Sequence, residues 1–243
     1  MSDEWMPTLR PKMSREDFER LPRHPSYRYE WFDGAACISP WPRYGHACLR
    51  LTRLRVDKSD LGDAELRGVE AADAAALVPI FEASFGHLQP YGSLDETDMR
   101  VAASKAMEKT FAGGDGVLAP RASFVATASG SIAGAILITL LPGGDPCASD
   151  SMQWQASPPP DLWNHTEGQP HLTWIFVRRF DQGGGIGTLL LKNAVRALKR
   201  QGYKTLWSTF MIGNESSTLW HWRNGFELLP NLHSRRRMRR ELA

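Results

Sequence analysis

The chain has 243 residues, with 29 Lys and Arg against 27 Asp and Glu, a net charge of +2, and 42% hydrophobic residues. This is globular composition rather than disorder, enough for one large domain or a domain plus an accessory segment. No run of roughly 18 apolar residues is available to span a membrane, and the opening residues lack the apolar core of a secretory signal. Cys37, Cys48 and Cys147 give neither a disulfide framework nor a zinc-ligand pair. The expectation is a cytoplasmic protein with no membrane contact and no metal.

Residues 1–60 are rich in Pro, Arg and aromatics. Ser14-Arg-Glu-Asp17 is a capping-box pattern ahead of a short helix through Leu21. Tyr27–Phe32 reads as a strand, Asp33-Gly34 as a hairpin turn and Ala35–Ser39 as the returning strand. Leu49–Val56 is a further alternating segment. Over residues 13–47 this opening resembles that of a restriction-endonuclease-like family. No later Asp…Glu-x-Lys constellation follows to hold a metal, so the segment is expected to be an accessory helix and hairpin.

From Glu65 the pattern is cleaner. Glu65–Val69 is a short strand, and Asp73 can cap a helix with Leu77, Ile80, Phe81 and Phe85 on one face. Met99–Phe111 predicts a second helix, and Ser123–Ala128 with Ile132–Leu141 a hairpin. Residues 142–170, dense in Pro and polar residues, show neither period and read as a long loop. Beyond it, Leu172–Val177 predicts a buried strand, Thr188–Arg200 an amphipathic helix, Lys204–Met211 a strand and Ser216–Asn224 a helix. Phe226–Leu229 and His233–Arg240 can close the sheet. The order gives an α/β fold with a mixed sheet flanked by helices. The expected division is an accessory segment at 1–60 and a main domain at 64–243.

The last nine residues, RRRMRRELA, carry +4, so the remainder sums to −2. An arginine run is a candidate polyanion contact. No other basic cluster joins it, and charged outward side chains are how edge strands avoid pairing with neighbours. The expectation is no nucleic-acid partner.

The stretch that carries chemistry is Val177-Arg-Arg-Phe-Asp-Gln182-Gly183-Gly184-Gly185-Ile186-Gly187-Thr188, between a strand and a helix. Its glycines let the backbone curl and approach a ligand closely. The free amides and positive dipole end of the following helix suit a pyrophosphate. No acidic residue ends the next strand, which lowers a dinucleotide reading, and no Gly-Lys-Ser/Thr follows, which excludes a P-loop.

Here the sequence resembles the GNAT superfamily of acyl-CoA-dependent N-acyltransferases. Gln182-Gly183-Gly184-Gly185-Ile186-Gly187 matches the family's Arg/Gln-x-x-Gly-x-Gly/Ala turn. Asn214 to Phe226 follows its second block, Asn-x-x-Ala-x-x-Leu-Tyr-x-Lys-x-Gly-Phe. The resemblance covers about residues 64–243 and implies a GNAT-like, mostly antiparallel sheet. It also implies transfer of an acetyl group from acetyl-CoA to a primary amine on a small molecule or peptide, with a homodimer compatible. The family's fourth strand bulges and splays from the fifth, opening a slot for the pantetheine arm. Main-chain groups near Phe176 and Val177 would pair with that arm, and the Val177 N–H would polarise the thioester carbonyl. Gly183, Gly185, Gly187 and Thr188 would hold the pyrophosphate, with Gln182 replacing the commoner Arg. Asn214 would contact the pantetheine.

Two positions depart from the family. His221 stands where the family's acid is a Tyr, and as an imidazolium it is the expected proton donor to the departing thiolate. Thr173 stands where many members carry a Glu base. The nearest titratable groups are Glu167 and His171, so the base stays unassigned. The 142–170 loop, with Met152, Trp154, Trp163 and His165, is expected either over the acceptor side or as a surface excursion. The alternative reading is a non-catalytic acyl-CoA-binding or interaction module of the same fold.

Overall fold

The computed structural model describes residues 12–20, 27–32, 34–40, 46–51, 64–88, 91–144, 158, 162–164, 167–211 and 215–229. In chain order its helices are α1 (Arg15–Arg20), α2 (Asp73–Phe85), α3 (Glu96–Phe111), α4 (Ile186–Arg200) and α5 (Glu215–Arg223). Its strands are β1 (Tyr27–Phe32), β2 (Ala35–Pro40), β3 (His46–Leu51), β4 (Glu65–Gly68), β5 (Val117–Leu118), β6 (Phe124–Ala128), β7 (Ser131–Leu141), β8 (Gln169–Val177), β9 (Leu206–Met211) and β10 (Glu227–Leu229).

The N-terminal zone forms its first elements locally. The Asp17 N–H donates to the Ser14 hydroxyl at 3.1 Å, capping α1. β1 and β2 pair antiparallel as a two-stranded sheet, with Phe32 opposite Ala35. β3 behaves differently. It lies in the main sheet, whose order is β10-β3-β9-β8-β7-β6-β4, with β5 also paired to β7. It runs antiparallel to both neighbours, Cys48 standing opposite Thr209 on β9 and Leu229 on β10. The first 60 residues therefore contribute to both sheets. Residues 233–240, expected as a closing strand, lie outside the described residues.

Helices cover both faces of the main sheet. α4 lies against β6, β7 and β8 on one side, while α2 lies against β7 and β8 on the other with α3 packed on it. The stripe predicted for α4 is buried as Leu191, Ala194, Val195 and Leu198, in one cluster with Ile136, Ile138 and Leu140 of β7. On the opposite face Leu77, Ile80 and Phe81 of α2 meet Ala135 and Leu137 of β7 and Phe176 of β8. The eleven-residue β7 is the central strand of both cores, since alternate side chains point to opposite faces. Burial of these side chains supplies the main drive for the fold, about 1.5–3 kcal/mol for each large one.

One helix start differs from the expectation. Asp73 is the first helical residue of α2 rather than its cap, which is Ala72. Its carboxylate accepts the Glu70 N–H at 2.8 Å and both terminal nitrogens of the Arg67 guanidinium at 2.8 and 2.6 Å. That pairing fastens β4 to the start of α2. α3 begins one turn earlier than its apolar pattern suggests, because Asp95 accepts the Asp98 N–H at 2.8 Å and caps it.

Candidate active site

The site begins where two parallel strands part. Among the described residues β8 and β9 pair only at His171 with Trp207 and Leu172 with Ser208. β8 continues to Val177 along β7, so from Thr173 onward its other edge has no strand partner among them. The cause is local. Between β7 and β8 the register shifts: Ile138 faces Leu172 but Leu137 faces Trp174, which leaves Thr173 as the extra residue of a bulge. A bulge bends its strand and increases the twist, and here it turns β8 away from β9.

Which backbone groups face the open edge follows from the ladder. The Arg178 N–H donates to the Ala133 carbonyl at 2.7 Å. Alternation along an antiparallel pair then directs the groups of Phe176 at Ala135 and those of Val177 and Ile175 away from β7. Phe176, expected to pair with the pantetheine arm, therefore has its main chain committed to β7, and Ile175 stands in its place beside the cleft. The Val177 carbonyl is itself occupied, accepting from the Gln182 side chain at 2.9 Å and the Ser84 hydroxyl at 3.2 Å. The Val177 N–H lies on the open side.

Immediately after β8 the chain makes the glycine turn. Gly183 and Gly185 sit at φ +83° and +84°, conformations that side chains rarely adopt. Gly185 caps α4, and the first bond of the helix runs from the Leu189 N–H to its carbonyl at 2.9 Å. The N–H groups of Ile186, Gly187 and Thr188 precede that bond and have no carbonyl within the helix to donate to. With the positive helix end they form an anion-binding cradle. Gly187 has a second role, since a Cβ there would stand 3.2 Å from Nε1 of Trp220 on α5. Arg178, bonded to Asp181 and at 2.8 Å to the Ser131 hydroxyl, anchors the entry to the turn on β7. Gln182 braces the turn against β8 through Val177.

His221 lies on α5 and is buried among Phe210, Trp220 and Phe226. Its Nδ1 is 2.7 Å from the Ser217 carbonyl, an acceptor only, so Nδ1 carries the proton. Nε2 is then bare and accepts from the Ser208 hydroxyl at 2.8 Å. Burial pushes the ring down to about 4, although the Ser217 carbonyl favours the charged form. At neutral pH it is a neutral imidazole whose one proton is already donated. The imidazolium expected from the sequence has no support in this geometry.

On β8, His171 is buried at the head of a second polar chain. The Thr139 hydroxyl donates to the Asp115 carbonyl at 2.8 Å, so at 2.7 Å it accepts from Thr173. Thr173, its proton used, accepts from His171 Nδ1 at 3.1 Å. His171 Nε2 is therefore the bare nitrogen, and Thr209 donates to it at 3.1 Å. The bulged Thr173 thus belongs to the same hydrogen-bonded chain as the histidine two residues before it. Asp115 extends the chain to α3, its carboxylate accepting from Thr110 at 2.7 Å and pairing with Lys109. The Trp174 indole donates to that same Thr110 hydroxyl at 2.9 Å. Burial pushes His171 down to about 4, with the Asp115 charge pulling the other way. In the sequence His171 is only a nearby titratable group. The bulge that brings Thr173 into line with Thr139 has no signature in residue spacing.

Other expected groups are placed elsewhere. Trp163 packs on Tyr203, ring centroids 5.7 Å apart, and joins the α4-side cluster beside the buried Leu162. That part of the long connection docks on the α4 face, drawn there by its apolar side chains. Met152, Trp154, His165 and Asn214 lie outside the described residues. Among the described residues there is no group of three or more His, Cys, Asp or Glu placed to hold a metal ion. No helix among them is long and apolar enough to cross a membrane.

The cleft and the glycine turn both fall inside the stretch that known proteins share. The sequence model of the Acetyltransferase (GNAT) family matches residues 90–226. No curated protein matches the chain. Solved structures similar to it include the PaiA N-acetyltransferase of Thermoplasma acidophilum in complex with coenzyme A. That protein is 15% identical with a TM-score of 0.48, over 68% of this chain and 91% of its own. A GNAT family acetyltransferase from Brucella melitensis in complex with acetyl-CoA is 19% identical with a TM-score of 0.42, over 68% and 86%. An integron cassette protein of V. cholerae is 18% identical with a TM-score of 0.48, over 69% and 88%. The family match spans more than half of the 243 residues, and the chain belongs to the acetyltransferase (GNAT) family. It is an acyltransferase, and its reaction is acyl-CoA-dependent acetyl transfer.

Proposed function

We propose that the protein moves the acetyl group of acetyl-CoA to a primary amine of a small molecule or peptide, by direct attack of the amine on the thioester. The observation that supports this reading most is the coincidence of the β8–β9 parting with the glycine turn at the end of β8. A pantetheine arm lying in the gap would run along the open edge of β8 with the pyrophosphate at the start of α4. The amides of Gly183, Gly185, Gly187 and Thr188 would hold the pyrophosphate, joined by that of Ile186. The N–H groups of Ile175 and Val177 would face the arm, and that of Val177 would polarise the thioester carbonyl as the tetrahedral oxyanion forms. Gln182 supports the turn, one N–H of its amide donating to the Val177 carbonyl, and the second N–H is left to face the pyrophosphate.

The attacking nitrogen must lose a proton and the thiolate must gain one. His221 is a framework residue of α5, holding Ser208 and the helix together. The thiolate then takes its proton from water. The test is a panel of primary amines and lysine-containing peptides with acetyl-CoA, followed by free thiol release, with calorimetry of coenzyme A binding alongside. Turnover of at least one amine is the expected result. Tight coenzyme A binding with no turnover would favour the acyl-CoA-binding module instead.

A further inference from the structure

We propose that Thr209 and His171 form the proton relay that deprotonates the acceptor amine, in place of a carboxylate base; the relay rests on the transferase reading above. Thr209 is the first residue of β9 beyond its last pairing with β8, and its half-buried side chain stands at the apex of the cleft. Alternation along β9 puts it on the face opposite Ser208, hence opposite His221. Its hydroxyl proton is directed at His171 Nε2 at 3.1 Å, so its lone pairs are free to face a ligand.

The step balances without a co-reactant. As the amine nitrogen forms its bond to the thioester carbon, its proton passes to the Thr209 oxygen, and the Thr209 proton passes to His171 Nε2. The carbon–sulfur bond then breaks with its electron pair leaving on the thiolate. The imidazolium returns its proton through Thr209 to the hydroxide left when water protonates the thiolate, and the net change is amine plus thioester to amide plus thiol. During the step the Nδ1–H bond to Thr173 becomes charge-assisted, and the hydroxyls of Thr173 and Thr139 polarise along the chain toward the Asp115 carbonyl.

Among the described residues, the charge that bears on His171 is that of Asp115. Asp115 favours the imidazolium, and it is shared with Lys109 of α3. Tyr91, from the segment between α2 and α3, is raised above its ordinary value by burial and by Asp115, so it stays neutral. A neutral imidazole with its acceptor nitrogen aimed at the Thr209 hydroxyl is the form a base requires at neutral pH.

Three variants test the relay. His171→Gln keeps a donor for Thr173 and an acceptor for Thr209, so it preserves the bonds and removes only the capacity to hold the proton. Thr209→Val breaks the link, and Thr209→Ser restores it. The expected result, with the amine panel and acetyl-CoA, is a fall in kcat on the order of 10²-fold or more for His171→Gln and Thr209→Val. Thr209→Ser should stay near wild type, and KM for acetyl-CoA should be unchanged throughout. Wild-type kcat in His171→Gln overturns the relay alone and leaves the transferase reading standing. Coenzyme A binding with no amine turned over by the wild type overturns both. A second measurement stands apart from activity and from the folding of any variant. Long-range nitrogen–proton NMR of the wild type should show the His171 proton on Nδ1, and a proton on Nε2 at neutral pH overturns the relay.

Discussion

The Ser208 hydroxyl donates to Nε2 of His221 at 2.8 Å, and that single bond fixes what the ring can do. With Nδ1 held by the Ser217 carbonyl, the only way to charge this histidine is to place a second proton where Ser208 now donates. Ser208 would have to turn its hydroxyl away, in a site with almost no solvent. The desolvation cost falls on the charged form, which is why the ring is held well below its ordinary value of 6.5.

His221→Phe is expected to lower stability rather than remove an acid. The phenyl ring fits among the surrounding aromatics, but the Ser208 hydroxyl loses its acceptor, at a cost of about 1–3 kcal/mol. Denaturant unfolding measures that loss. The dependence of kcat on pH should match that of the wild type. A 10²-fold or larger fall in kcat in the folded variant would return the acid role to His221.

Stability should fall on mild acidification. His171 and His221 hold values of about 4 in the fold, against an ordinary 6.5. Between those values the unfolded chain binds more protons than the native one. Their contribution is complete above about pH 6.5 and is withdrawn as pH falls toward 4, each histidine taking about 1.4 kcal/mol per unit. Urea unfolding at about pH 7.5, 6 and 5 would follow this slope. His221→Phe should flatten it by one histidine's share; an unchanged slope would mean that the ring is already charged in the native state.

Gly185→Glu should abolish coenzyme A binding. The residue sits at φ +84°, so any side chain is strained there, and a carboxylate would oppose the pyrophosphate at the start of α4. Gly185→Ala separates the two effects, because it keeps the backbone strain and adds no charge. Calorimetry should give weakened binding in the alanine variant and none in the glutamate variant. Full affinity in a folded Gly185→Glu protein would move the pyrophosphate site elsewhere.

Asp73→Asn should loosen the junction of β4 with α2. The carboxylate is nearly buried and holds Arg67 and the Glu70 N–H together. The Arg67 guanidinium beside it holds Asp73 below the usual carboxylate range. Its stabilisation is therefore present above the ordinary Asp value and lost as pH falls through the lowered one. Arg67 is 43% exposed, so solvent screens part of the charge interaction, and a loss of about 1–2 kcal/mol at neutral pH is expected. A thermal unfolding midpoint unchanged from wild type would show that the helix start holds without it.

The helices and the glycine turn are legible in the sequence because their signals are local. The spacing of Leu191, Ala194, Val195 and Leu198 gives α4 its buried stripe, and the glycines give its start. What pairs with what is less legible. Nothing in the His46–Leu51 segment announces a berth between β9 and β10, since alternation tells which face is buried and not which strand lies alongside. The Thr173 bulge is hidden for the same reason, arising from a register shift between partners 34 positions apart for Thr139 and Thr173. The expectation for Phe176 fails because which backbone groups face the cleft depends on that register. The two histidines show the contrast most clearly. Both are single histidines in apolar surroundings by sequence, and only their bond partners separate a ring tied into a helix from one bonded to Thr209 at the cleft.

The position of β3 also bears on the order in which the molecule can be assembled. A ribosome delivers residues 46–51 long before residues 206–211 and 227–229, the two strands that enclose them. Until β9 arrives, β3 has neither neighbour, and β10 has no ladder to join until β3 is seated. One end of the sheet is thus closed by early and late parts of the chain together, a pairing of high sequence separation that slows folding. Removing residues 1–60 as dispensable would strip β10 of its partner and bare an edge of β9, which invites pairing with other chains.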